Sequence, residues 1–78
     1  MATLSVGNGF TATLDSLGRD QNFPNLSEKR VTKAVREALR GHYGDDRVAV
    51  SCDALFERGE WVGACEIDSA AHGYRIRE

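Results

Sequence analysis

The sequence predicts an α+β fold, one helix packed on an antiparallel sheet in the order β-β-α-β-β-β, with a three-stranded meander at its C-terminal end. Three observations carry this. There is one amphipathic helical segment with recognisable ends, a pair of alternating segments joined by Arg58-Gly59, and further short alternating segments near both ends of the sequence. With 78 residues and no internal linker, repeat or low-complexity tract, residues 1–78 are expected to form a single compact α+β domain around one core.

In chain order, Gly7-Asn8-Gly9 reads as a three-residue turn. It would set Val6 opposite Phe10, Leu4 opposite Ala12 and Ala2 opposite Leu14, making residues 2–14 a hairpin. A short helical turn around Leu14 to Leu17 is the competing reading. The stretch Asp20-Gln21-Asn22-Phe23-Pro24-Asn25, which holds the single proline, reads as a loop.

A helix follows over Glu28 to Arg40. Ser27 is its N-cap, Leu26 is placed to staple onto Val31, and Gly41 is expected to end it. Val31, Ala34, Val35, Ala38 and Leu39 form the apolar stripe that faces a core. Projected at about 100° per residue, Lys29, Lys33, Arg36 and Arg40 form a basic ridge on the other side.

Beyond the helix, Val48, Val50, Cys52, Ala54 and Phe56 alternate with more polar neighbours, and a second alternating run begins at Trp61. A two-residue turn at Arg58-Gly59 pairs Phe56 with Trp61, Ala54 with Gly63, Cys52 with Cys65 and Val50 with Ile67 on one face. A last strand, Gly73 to Arg77, turns Tyr74 and Ile76 inward and Arg75 and Arg77 outward.

The same register points Ser51, Asp53, Leu55, Glu57, Glu60, Val62, Ala64, Glu66 and Asp68 away from the core. Residues 28–40 carry five basic and two acidic groups, residues 45–68 two basic and seven acidic, so opposite sides of the domain are expected to differ in sign. Leu55 opposite Val62 makes an apolar island among carboxylates, the core-and-rim anatomy of a contact surface. Against this stands the ordinary reading of charge runs as solvated faces. In that reading Arg75 or Arg77 neutralises Glu66, or the N-terminal hairpin covers the patch.

Other chemistry finds little support. Cys52 and Cys65 are thirteen residues apart and His42 and His72 thirty, which matches no compact metal-ligand spacing, and no metal or cofactor is expected. His42 falls just past the expected helix end and His72 in the loop before the last strand, both readable as structural. No nucleophilic triad, Walker loop or dinucleotide fingerprint can be assembled, and carboxylates on a flat sheet face do not form a cleft. The domain is therefore not expected to be an enzyme.

Met1 to Val6 shows neither a positive leader nor an apolar h-region, and no apolar run approaches the ~20 residues of a membrane span, so no secretory signal and a cytoplasmic location without membrane association are expected. On that ground the two cysteines read as packed free thiols. A cross-strand disulfide is geometrically open, because their cross-strand pair would bring the Cα atoms to ~4.5 Å.

The functional expectation is a non-enzymatic protein-binding domain whose acidic face, Asp53, Leu55, Glu57, Glu60, Val62, Glu66 and Asp68, meets a protein partner with a basic surface. In general build, though on no motif, it resembles the small acidic inhibitors of nucleic-acid-handling proteins carried by phages and mobile elements, anti-CRISPR proteins among them. The alternative is a small nucleic-acid-binding or regulatory domain that sets the ridge Lys29, Lys33, Arg36 and Arg40 along phosphates. The net charge of −2 and the lack of aromatic residues beside the ridge argue against it. A homodimer whose subunits pair through opposite charges or through an exposed edge strand at Gly73 to Arg77 is a third reading.

Overall fold

The computed structural model describes residues 2–18 and 23–78. Its elements are β1 (Ala2–Val6), β2 (Thr11–Leu14), α1 (Asp15–Gly18), a 3-10 turn at Phe23–Asn25, α2 (Glu28–Tyr43), β3 (Val48–Cys52), β4 (Leu55–Glu57), β5 (Glu60–Ile67) and β6 (Ala70–Arg77). The Asp20 to Asn22 part of the expected loop lies outside the described residues. All strand pairs are antiparallel and the order is β2-β1-β6-β5-β3, with β4 continuing along the same side of β5 as β3. The α+β expectation holds.

The N-terminal hairpin has the expected register, with Ala2 opposite Leu14 and Leu4 opposite Ala12. Gly9, at φ 97°, supplies the left-handed residue that a three-residue turn of this kind requires, and its N–H donates to Val6 O at 3.0 Å. The competing helical turn forms as well, immediately after β2 as α1, so the two readings describe successive segments.

Ser27 caps α2 as expected, its hydroxyl accepting from Arg30 N at 3.1 Å. The helix does not end at Gly41, however. It continues to Tyr43, and Gly44 at φ 105° closes it by donating to Arg40 O at 3.0 Å. Tertiary contacts account for the extra turn: the Phe10 ring stacks on His42 at 4.3 Å and meets Tyr43 edge-on at 5.8 Å, and Asn8 Nδ2 donates to Tyr43 Oη at 2.6 Å. These contacts outweigh the ~1 kcal/mol that an interior glycine costs a helix.

The helix covers one sheet face. Val31, Val35 and Leu39 pack into a core with Leu4, Leu17, Phe23, Trp61, Cys65, Ile67, Tyr74 and Ile76. Thr32, which the apolar stripe omitted, is also buried, satisfied by donating to Lys29 O at 3.2 Å, whereas Ala34 and Ala38 are only half-buried. Trp61 Nε1 donates to Phe23 O at 2.8 Å, tying the 3-10 turn to the sheet.

The hairpin at Arg58-Gly59 keeps its predicted register near the turn, with Leu55 opposite Val62, Phe56 opposite Trp61 and Cys52 opposite Cys65. Further out it departs. Ile67 pairs with Val48 instead of Val50, and Val50 is 73% exposed. Two fixed points explain this: Asp68 N donates to Arg47 O at 2.7 Å, and Cys52 is bonded to Cys65. Residues 48–52 therefore span the length of 65–67 and must bulge outward.

The Cys52–Cys65 disulfide, with Cα atoms 4.6 Å apart, replaces the expected pair of free thiols. The close backbone approach of a non-hydrogen-bonded antiparallel pair provides the geometry. The last strand is longer than predicted, beginning at Ala70, so that His72 lies within it opposite Cys65. Tyr74 and Ile76 are buried and Arg75 and Arg77 exposed, as expected. Its position is not an edge: β6 lies between β1 and β5, which removes the proposed dimer contact at Gly73 to Arg77.

Candidate interaction surface

The sheet face opposite α2 is bare among the described residues, and its composition follows from strand register. One row across it reads Glu57, Glu60, Arg77, Thr3 and Thr13, and the next reads Leu55, Val62, Arg75, Ser5 and Thr11. The face is thus acidic and apolar toward β4 and β5, hydroxyl-lined toward β1 and β2, with an arginine seam between.

Leu55 is 60% exposed beside half-buried Val62, so the expected apolar island exists and the N-terminal hairpin, on the far side of the sheet, does not cover it. The carboxylates around it differ in what they do. Glu57 lies opposite Glu60, and Arg77 Nε donates to Glu60 Oε1. That bond, with the charge of Arg75 nearby, holds the Glu60 carboxyl below the usual carboxylate range. Arg77 therefore neutralises Glu60 and not Glu66, whose partner across the strand is Ala71. Asp68 sits in the β5–β6 turn 3.7 Å from Arg47.

Asp53 has a structural role. Between β3 and β4 its N–H donates to Ala64 O at 3.2 Å, but its carbonyl leaves the ladder and accepts from Tyr74 Oη at 2.6 Å. Its own carboxylate fills the vacated place, Oδ1 accepting from Ala64 N at 2.8 Å. Gly63 makes this fold-back possible: a Cβ there would lie 2.1 Å from Asp53 O and 2.8 Å from Tyr74 Oη. The expected Ala54–Gly63 strand pair is accordingly interrupted, although Ala54 remains buried. Burial, reinforced by the Asp53 and Glu28 charges, pushes the Tyr74 phenol well above its ordinary pKa and keeps it a donor.

Of the seven expected contact residues, Asp53, Leu55, Glu57, Glu66 and Asp68 are exposed and Val62 and Glu60 half-buried, and Leu55, Val62, Glu57 and Glu66 are the four without a hydrogen bond or ion pair from their side chains among the described residues. Asp53, Glu60 and Asp68 are held by local partners. Beside Glu66, the bulge of β3 leaves a shallow depression of about 360 Å³ with Ala64 and Ala71 in its lining. Thr3, Ser5, Thr11 and Thr13 belong to the same face and were not singled out, although the period-2 pattern of residues 2–14 contains them.

The basic ridge is less continuous than predicted. Lys29 and Lys33 are exposed, but Arg36 and Arg40 are half-buried, and Arg40 Nε is buried with no hydrogen-bond partner among the described residues. The burial of Thr32 has the same cause: the helix is rolled so that this flank faces the protein. Among the described residues no group of three or more His, Cys, Asp or Glu side chains is arranged to hold a metal ion, and no helix is long and apolar enough to cross a membrane. No protein-family model, curated protein or solved structure matches this chain.

Proposed function

We propose that this chain is a non-enzymatic protein-binding domain that uses the β4–β5 side of its bare sheet face against a basic partner surface. The observation that carries the reading is Leu55, a large apolar side chain 60% exposed next to Val62, with Glu57 two residues along its own strand and exposed Glu66 further along β5 on the same face. An apolar centre with a charged rim is the usual anatomy of a specific contact, and the unpaired carboxylates would steer a cationic surface toward it. A nucleic-acid-handling protein offers such a surface, so inhibition of one is the specific activity proposed. The nucleic-acid alternative retains Lys29 and Lys33 as its exposed cations and loses reach where Arg36 and Arg40 turn inward.

The test is affinity capture from host lysate with the full chain as bait, at low and high salt, with nuclease treatment in parallel. The proposal expects a protein that survives nuclease and is released by salt. Recovery of nucleic acid, or of proteins that vanish with nuclease, would transfer the function to the helix.

A further inference from the structure

The two edges of the sheet are unequal. The β3 edge is bulged and tied by the Cys52–Cys65 bond, devices that discourage pairing with another strand. The β2 edge has none of them: Thr11-Ala12-Thr13-Leu14 contains no charge and no proline, and it pairs with β1 in an unbroken register.

The direction of its free backbone groups can be derived. Val6 N donates to Phe10 O at 2.9 Å, so those two form a hydrogen-bonded pair, and alternation makes Leu4/Ala12 and Ala2/Leu14 the next two. Gly7 N donating to Gly73 O at 2.8 Å agrees, placing the odd-numbered groups of β1 toward β6. Thr11 and Thr13 therefore turn their N–H and C=O groups away from β1, along an edge that no described strand pairs with.

A groove of about 550 Å³ runs beside that edge, between β2 and α2. Half-buried Ala34 and Ala38 leave room on its helix side, while Arg30 and Lys33 set two positive charges against the two negative charges of Asp15 and Glu37. These four charges sum to zero, so a second copy brought against this lining meets no net like charge.

We propose that β2 pairs antiparallel with β2 of a second copy, extending the sheet through a two-fold axis at Ala12. In this register Thr11 and Thr13 of one copy exchange backbone hydrogen bonds with Thr13 and Thr11 of the other. The threonine side chains meet on the outer face, where such cross-strand pairs are favourable. On the helix side Leu14 comes opposite the other copy's Phe10. The inference rests on strand geometry and is independent of the outer-face reading, whose Leu55 patches would lie at the two far ends of the joined sheet.

Sedimentation equilibrium of the full chain from micromolar to millimolar concentration, beside Thr13→Pro, tests it. Proline removes the outward N–H without touching a β1–β2 bond, so circular dichroism should be unchanged while the dimer dissociation constant rises about tenfold or more. Amide exchange on the unaltered chain supplies an arm that does not depend on the variant folding: the Thr11 and Thr13 amides should slow as concentration rises. A chain monomeric at millimolar concentration would overturn the proposal and leave the edge to a strand of another protein. A dimer insensitive to Thr13→Pro, or Thr11 and Thr13 exchange independent of concentration, would overturn it equally.

Discussion

Gly63, Asp53 and Tyr74 show how three side chains decide the course of a strand. Because the Asp53 carbonyl occupies the space of a missing Cβ, Gly63→Ala is expected to destabilise the fold by about 2–3 kcal/mol in urea titration. Tyr74→Phe leaves that carbonyl without its donor and should cost about 1–3 kcal/mol. Its effect has a pH signature. The phenol's pKa is raised in the folded state, so its contribution is fully present below the unfolded value near ~10 and is lost as pH rises toward the folded one. The stability gap between the original chain and Tyr74→Phe should therefore be constant at neutral pH and narrow above the unfolded value. The inward turn of Tyr74 was legible in the sequence but its bond to Asp53 was not, since Asp53 reads as one more outward carboxylate and a backbone carbonyl that leaves its ladder leaves no periodic trace.

Elements were legible to the extent that their cause is periodic. The helix start followed from Ser27 and the apolar stripe, and the register of Phe56 with Trp61 and of Cys52 with Cys65 followed from matching apolar partners across a two-residue turn. The helix end did not follow, because Phe10, His42 and Tyr43 hold a turn that the local glycine signal opposes. Gly41 has a helical backbone and open space around its Cβ position, so Gly41→Ala should stabilise the domain by about 0.5–1 kcal/mol, raising its urea midpoint. The β3 bulge was hidden for a different reason: Val48, Val50 and Cys52 share one parity, and only the tethers at both ends force Val50 outward. Removing one tether by reduction should cost about 2–4 kcal/mol, measurable as a lower urea midpoint with dithiothreitol.

At the scale of the whole molecule, the sheet carries its carboxylates on one side and α2 its lysines on the other, as the segment charges predicted. The candidate surface was legible only in outline. Sequence alternation found Leu55, Val62, Glu57 and Glu66, but the pairing of β6 with β1 and β5, which brings Arg75 and Arg77 into the middle of that face, is a long-range fact of topology. The disulfide adds a condition at this scale, since such bonds persist in oxidising surroundings. The central claim is that the face around Leu55 binds a basic partner, and affinity capture with two variants tests it most directly. Glu57→Lys/Glu66→Lys reverses the rim while sparing the carboxylates that the fold uses, and Lys29→Glu/Lys33→Glu reverses the two exposed lysines of the helix. Loss of the captured partner with the first variant and retention with the second is the predicted result; retention with the first and loss with the second would contradict it.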